Sequence, residues 1–494
     1  MSGKSSGLVV GLSLVAALGG LLFGYDTAVI SGAVNAINHN FIEPRHLTEG
    51  AANALSGAAI SIALLGCVLG AALAGPISLM FGRKGGLLVA AVMFLICAVG
   101  SAYPEMGLGP IGGMGADALV PFMIYRVIAG VGVGIASMLS PLYIAEIAPP
   151  QSRGKLVTFQ QVAIVGGMTL VYFVNWWIGS QGDDAWILST GWRYMLLSGV
   201  VPAGLFFLFL LFVPDTPRWY VLRGHDEKAQ KVLGRLNDEA TAQSTFSEIK
   251  GTLVEKTAPL FAFGGLVIVV GLALSILQQT VGINAVLYFA PKMFENMGAD
   301  TNAALFNTIL VGVTMVVFTL VSLVTVDRWG RKPLLIVGAV IQAVSMIVLG
   351  LIFASFATGV AAEKVVMTPD AALWALVAVI VYLAGFSLSW GPVVWVMLAE
   401  IFPNVIKSKA MAIAVAAQWI ANYVVSSTFP MIDGNSALNA MFNHGFAYWL
   451  YAVFSVLAAV FVWKYVPETK GKSLEAIQNL WRHAPGAQPS EQVG

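Results

Sequence analysis

Apolar residues run along this chain in stretches of about 20, each long enough to cross a bilayer as a helix, with short polar breaks between them. Twelve such stretches can be counted. In the first half they begin near Leu8, Ala51, Leu87, Leu119, Leu156 and Trp192, and in the second near Leu260, Ala303, Leu334, Ala371, Ala410 and Phe446. The pattern predicts an all-α membrane protein, with twelve transmembrane helices in two pseudo-symmetric six-helix bundles. Residues 1–214 form the first bundle, 215–258 a cytoplasmic linker with short helices, 259–466 the second bundle and 467–494 a cytoplasmic tail. In the linker, His225–Leu236 has the apolar spacing of a helix. It reads either as a solvated connector or as a gate that latches the halves. Lys4 precedes the first apolar run as in a signal peptide, but no small-residue cleavage site closes that run, so the first span is expected to remain.

The polar breaks repeat. FGRK at Phe81–Lys84 returns as WGRK at Trp329–Lys332, and EIAPPQSRGK at Glu146–Lys155 returns as EIFPNVIKSK at Glu400–Lys409. PDTPR at Pro214–Arg218 has a weaker echo in PETKG at Pro467–Gly471. Each copy lies about half of the 494 residues further on. Two similar membrane halves with a binding site where they meet is a common plan of secondary transporters.

Composition agrees. Hydrophobic residues make up 58% of the chain and charged residues 10%, against about 25% charged in soluble domains. A net charge of +1 offers no basic face for nucleic acid. The two cysteines, Cys67 and Cys97, lie inside apolar runs and read as free buried thiols. Of the 26 Lys and Arg, all but Arg45, Arg193, Lys292, Lys364 and the membrane-embedded Arg126 follow even-numbered spans or lie on the termini. Cytoplasmic loops carry the excess of basic residues, so both termini are expected to be cytoplasmic. No metal-spaced His or Cys cluster, nucleophile with a base, or phosphate-cradling loop occurs in the sequence. An enzyme is not expected, nor a cofactor or bound metal.

A charge at mid-bilayer costs about 2.5–3.5 kcal/mol even on the lenient insertion scale, so it is rare without a task. Asp26 lies about 27 Å up the first helix and Arg126 about 30 Å from the far end of the fourth, so the two sit at similar depth. They read as a static ion pair, as a proton site in which Asp26 releases Arg126 on protonation, or as a misjudged helix end that leaves Asp26 in water. Burial favours the neutral acid, whereas Arg126 favours the carboxylate. A second set is polar and uncharged: QQTVGIN at Gln278–Asn284 followed by Tyr288, Gln160 and Gln161, Gln418, Trp419 and Asn422, and Trp395 after the Gly391–Pro392 break. Amides and indoles offer donors and acceptors without net charge, and aromatic rings suit the C–H faces of a sugar. Any one of these residues could instead be interhelical glue.

These residues resemble the sugar porter family of the major facilitator superfamily over the whole chain. GGLLFGYDTAVISG at Gly19–Gly32, RVIAGVGVGIASMLSPLYIAEIAP at Arg126–Pro149, QQTVGINAVLYFAP at Gln278–Pro291, DRWGRKPL at Asp327–Leu334 and PETKGKSLE at Pro467–Glu475 carry the likeness together. It is strongest to the branch holding bacterial proton-coupled xylose symporters and glucose facilitators. The resemblance implies alternating access of two six-helix bundles around a central sugar site, in the cytoplasmic membrane of a bacterium. It implies proton-coupled uptake of a pentose or hexose such as D-xylose or D-glucose, by a monomer whose partners are the sugar, protons and the bilayer. An uncoupled facilitator of the same fold is the alternative. A non-transporting sensor is less expected, because the tail past Lys472 is short.

By position, Asp26 and Arg126 match the family's proton-coupling pair. Phe23, Gln161, Gln278, Gln279, Asn284, Tyr288, Gly391, Trp395, Gln418 and Trp419 match its sugar contacts. Arg83, Glu146, Arg153, Asp215, Arg331, Glu400 and Lys407 match the ion pairs implied to close its inner gate. Five positions depart from the pattern. Met168 and Met315 stand where amides occur in relatives and remove hydrogen bonds from the pocket. Gly199 stands where the xylose branch has a glutamate near the Asp–Arg pair. Leu79 replaces a frequent Asp, and Lys407 a frequent Arg, which keeps the charge but loses the planar fork.

Overall fold

The computed structural model describes residues 3–149, 153–251, 259–356, 358–361 and 364–471. Among them, eleven helical segments are long and apolar enough to cross a membrane. Ten serve as single crossings. Spans one, four, five and six are Gly7–Arg45, Gly115–Ile147, Phe159–Gly179 and Asp184–Phe212. Spans seven to twelve are Gly265–Asn296, Thr301–Trp329, Arg331–Phe356, Pro369–Ile401, Lys409–Asp433 and Phe446–Tyr465. The remaining segment, Glu49–Ala102, has 54 residues and would run about 80 Å if straight. It folds at Gly82, whose φ of 86° and ψ of 174° are not helical. Both arms then pack along the fourth span, with Gly134 against Cys67 and Gly132 against Ala90. These arms are spans two and three, which completes the expected twelve. Cys67 and Cys97 are free and buried.

Small residues let the spans approach closely. A Cβ on Gly130 would lie 1.8 Å from the Ala63 carbonyl oxygen, and one on Gly66 2.2 Å from that of Val127. Two spans of the second half are interrupted. The seventh breaks at Val281–Gly282, between the helices Gly265–Thr280 and Ile283–Asn296. The tenth breaks at Ser389, between Pro369–Leu388 and Trp390–Ile401. Polar backbone freed inside a membrane is tolerated where it is buried in protein or lines a cavity, and both breaks border the central cavity described below.

Two features differ from the sequence expectation. The sixth span starts at Asp184, eight residues before Trp192, because Asp183 caps it through the Trp186 amide at 2.8 Å and a π-helical turn, Ile187–Gly191, continues it. Between spans nine and ten, strands β1 (Thr358–Ala361) and β2 (Lys364–Val366) pair antiparallel. In the linker, helices Pro217–Leu222, Asp226–Leu236 and Glu239–Gly251 share a small core of Val221, Ala229, Leu233 and Phe246. Asp226–Leu236 also packs against the first span.

Arg83 and Arg331 mark one end of the molecule, the basic end. At the opposite end the halves are tied by hydrogen bonds. Asn35 donates to Glu295 at 2.8 Å, Asn53 to the Gly434 carbonyl at 3.0 Å, Trp176 to Asn302 at 3.2 Å, and the Ser436 amide to Glu49 at 2.7 Å.

Candidate functional site

Asp26 and Arg126 meet. Arg126 Nη1 donates to Asp26 Oδ1 at 2.8 Å, and Nη2 reaches the Asp26 carbonyl oxygen at 3.3 Å. The arginine side chain is 3% exposed and the aspartate 13%. This removes the alternative in which Asp26 sits at a misjudged helix end in water. Cys97 completes the group, 3.7 Å from Arg126 Nη1 and 3.9 Å from Asp26 Oδ1. A cavity of about 20 Å³ lies beside the pair, lined by Tyr25, Asp26, Cys97, Ser101, Arg126 and Gly199 among others. That is room for about one water. With glycine at 199, no side chain from that position reaches into it, and the nearest neighbour of a Cβ there would be 3.4 Å away.

The uncharged residues converge on a second cavity, between the halves. Its lining includes Phe23, Gln161, Gln278, Gln279, Asn284, Gly391, Trp395, Gln418 and Trp419, nine of the ten expected sugar contacts. Tyr288, the tenth, is buried one turn beyond Asn284 and does not line it. Thr27, Met168, Met315 and Asn422 line it as well. The amides form a chain. Asn284 donates to Gln279 Oε1 at 2.6 Å, Gln279 to Gln278 Oε1 at 3.2 Å, and Gln418 to the same Gln278 oxygen. Gln278 in turn donates to the Trp390 carbonyl at 2.7 Å, across the break in the tenth span. One acceptor, Gln418 Oε1, and one donor, Trp419 Nε1, are buried without a hydrogen-bond partner among the described residues. Phe23 and Trp419 bring the halves together with ring centroids 5.5 Å apart. Asp26 and Thr27 are adjacent in sequence, yet Asp26 lines the small cavity and Thr27 the large one.

At the basic end two corners mirror one another. In the first half Arg83 forks onto Glu146, Nη2 to Oε1 at 2.8 Å and Nε to Oε2 at 2.9 Å. In the second Arg331 forks onto Glu400 at 2.9 and 3.2 Å. The Arg83 amide donates to Asp215 at 3.0 Å, and the Arg331 amide to Glu468 at 3.1 Å. Thr216 and Thr469 hydroxyls donate to Glu146 and Glu400 respectively. Burial pushes the Asp215 carboxyl above its ordinary value, against the amides of Thr216 and Arg83. Burial acts on Glu468 in the same sense, but the amides of Lys470, Arg331 and Lys332 outweigh it and hold that carboxyl below its ordinary value.

Both forks close within one half, because each joins the basic turn to the end of a span in the same bundle. They do not bridge the bundles in this conformation. Lys407, expected among these pairs, is half-buried; burial lowers its ammonium pKa against the attraction of Glu400, whose carboxylate is forked by Arg331 instead. The Arg153 side chain lies outside the described residues. Glu468, Thr216 and Thr469 escaped the sequence reading, although PDT and PET, aligned residue by residue in the repeat, point to all three.

The Sugar (and other) transporter family profile matches residues 12–481. The chain is 50% identical over 489 residues to the D-xylose-proton symporter of Escherichia coli strain K12, covering 97% of this chain and 96% of that one. It is 44% identical to the glucose facilitated diffusion protein of Zymomonas mobilis, covering 98% and 99%. Among solved structures, the inward open conformation of the E. coli xylose transporter superposes with a TM-score of 0.85 at 48% identity, over 96% of this chain and all of that one. The chain therefore belongs to the sugar transporter family of the major facilitator superfamily, and is a multi-pass membrane transporter rather than an enzyme.

Proposed function

We propose that this protein takes up a monosaccharide, a pentose or hexose such as D-xylose or D-glucose, together with a proton. Transport runs across a bacterial cytoplasmic membrane by alternating access. The basic end and both termini face the cytoplasm, residues 215–258 form the cytoplasmic linker between the bundles 1–214 and 259–466, and residues 467–494 are the cytoplasmic tail. The carrier works as a monomer, with sugar, protons and lipid as its partners, no nucleic acid and no cofactor. One observation carries the coupling: the buried Asp26–Arg126 pair sits one residue from Thr27, which lines the amide cavity. The first span thus borders the proton site and the sugar site within one turn.

The sugar's hydroxyls replace amide–amide bonds among Gln278, Gln279, Asn284 and Gln418, and Gln161 adds a contact from the first half. Phe23, Trp395 and Trp419 face its C–H surfaces, beside the backbone at Gly391, and Tyr288 supports the wall behind Asn284. Asp26 binds the proton. Ionised, it holds Arg126; protonated, it releases it and the loaded carrier turns over. The corners built on Arg83, Glu146 and Asp215, and on Arg331, Glu400 and Glu468, keep each bundle rigid as the two rock. Lys407 adds positive charge beside the second corner, and Arg153 is its counterpart in the repeat.

Sugar added to de-energised cells should alkalinise the medium, and Asp26→Asn should abolish this while leaving sugar exchange intact. Alkalinisation that survives the substitution removes the proton role from Asp26. The second reading, an uncoupled facilitator, is favoured by Gly199, which adds no titratable group to the proton cavity. It predicts sugar entry with no pH change in the parent protein.

A further inference from the structure

We infer that Asn35 and Glu295 form the outer latch of this transporter, a pair that sets how readily the closed end opens. The inference rests on the alternating-access reading above. Asn35 lies in the outer part of the first span, and Glu295 at the tip of the seventh. Asn35 Nδ2 donates to both carboxylate oxygens, at 2.8 and 3.0 Å. Among the described residues, of the four ties named above between the halves at this end, it is the one that joins two side chains through a charge. A hydrogen bond to a charged group is stronger than a neutral one. Lys292 Nζ stands 3.8 Å from the same carboxylate and is 43% exposed.

The placement makes the bond a latch. Glu295 ends the arm Ile283–Asn296, which begins just past the Val281–Gly282 break and carries Asn284 into the sugar cavity. Asn284 and Glu295 are separated by about 16 Å of helix, so a small tilt at the break moves the tip further than the base. Asn35 follows Asp26 on the first span, beyond a 3-10 segment at Ile30–Ala33 where the pitch changes. One bond thus ties the arm bearing the sugar ligand to the span bearing the proton carboxylate. It also faces a polar cavity of about 470 Å³ between the halves, lined by Asn35, Lys292 and Glu295 with Asn38, Glu43 and Asp184. Water reaches both partners from that cavity, so parting them leaves neither buried and unsatisfied.

The test reads opening directly. A cysteine placed at Leu287, which lines the central cavity, reports whether a membrane-impermeant thiol reagent enters from outside; the native Cys67 and Cys97 are buried. Asn35→Ala should raise the labelling rate about tenfold, the scale of one charged hydrogen bond. Asn35→Asp sets two carboxylates against each other and should raise it further. Adding Glu295→Gln to Asn35→Asp restores a donor facing a carboxylate with the polarity reversed, and should return the rate toward that of the parent. A single variant whose labelling still responds to sugar is folded. Labelling that responds to sugar but not to Asn35→Asp, or that the double variant fails to bring down, overturns the latch. Labelling of Leu287→Cys that never changes with sugar, from either side, overturns alternating access instead.

Discussion

Gly82 and Gly330 mark two matching places where one residue decides the local fold. Each follows a long helix and precedes the arginine of a basic turn, with φ of 86° and 95° and ψ of 174° and 166°. Other residues rarely adopt that conformation, at a cost of about 1–3 kcal/mol. A Cβ on Gly82 would also stand 1.8 Å from Asp215 Oδ2, the carboxylate that caps the turn. Gly82→Ala should therefore lower stability by at least that amount, whereas Gly234→Ala, inside a linker helix with nothing within 4 Å, should raise it by up to about 1 kcal/mol. Thermal unfolding in detergent measures both. In the central cavity, Gln279 holds the middle of the amide chain, accepting from Asn284 and donating to Gln278. Gln279→Ala removes a donor and an acceptor and should weaken sugar binding about tenfold or more. Calorimetric affinity that stays at the parent value would take Gln279 out of the site. Met168 and Met315, both buried in the lining of the same cavity, would offer a sugar bound there only weak sulfur contacts.

The two corners have one plan and opposite electrostatics. Glu468 is held below the ordinary glutamate range, so its carboxylate adds stability at neutral pH, and the gain is lost as pH falls through the lowered value. Asp215 is held above the ordinary aspartate range, so its ionised form costs stability at neutral pH, relieved as pH falls. Glu468→Gln should lower the melting temperature at pH 7, with the deficit shrinking toward pH 3, and Asp215→Asn should cost less at pH 7. Tryptophan fluorescence across that range checks the signs. Much of these corners was legible, since the FGRK/WGRK and EIAPP/EIFPN repeats name both arginines and both glutamates. Repeats report side chains that play the same part twice. Glu468 was missed because Asp and Glu differ in length and the PETKG copy is short. Lys407 keeps the charge of its counterpart in the repeat, but Arg331 already occupies Glu400 with a planar fork that an ammonium cannot form. The hairpin at Thr358–Val366 left no signal because its strands are four and three residues long.

For the whole molecule, the twelve spans and the polar cavity could be read from hydropathy and from amides placed in matching helices. The contacts that close one end could not. Asn35 and Glu295 are 260 residues apart and belong to different repeats, so neither periodicity nor internal symmetry pairs them. The structure is closed there by Asn35, Asn53, Trp176 and Glu49, and its two basic corners are complete within their own bundles. On the proposed mechanism, a carrier built this way concentrates sugar only if a proton taken up at Asp26 crosses with it. Each proton entering across 100 mV, negative inside, releases about 2.3 kcal/mol, enough for about fifty-fold accumulation of a neutral sugar when one proton moves per sugar. Proteoliposomes at equal pH on both sides, polarised by potassium diffusion, should approach that ratio with the parent protein. With Asp26→Asn the ratio should stay at one while exchange persists, because the amide cavity and both corners are untouched. A parent that equilibrates sugar without concentrating it would be a facilitator, and Asp26–Arg126 would then be an ion pair that joins spans one and four without carrying a proton.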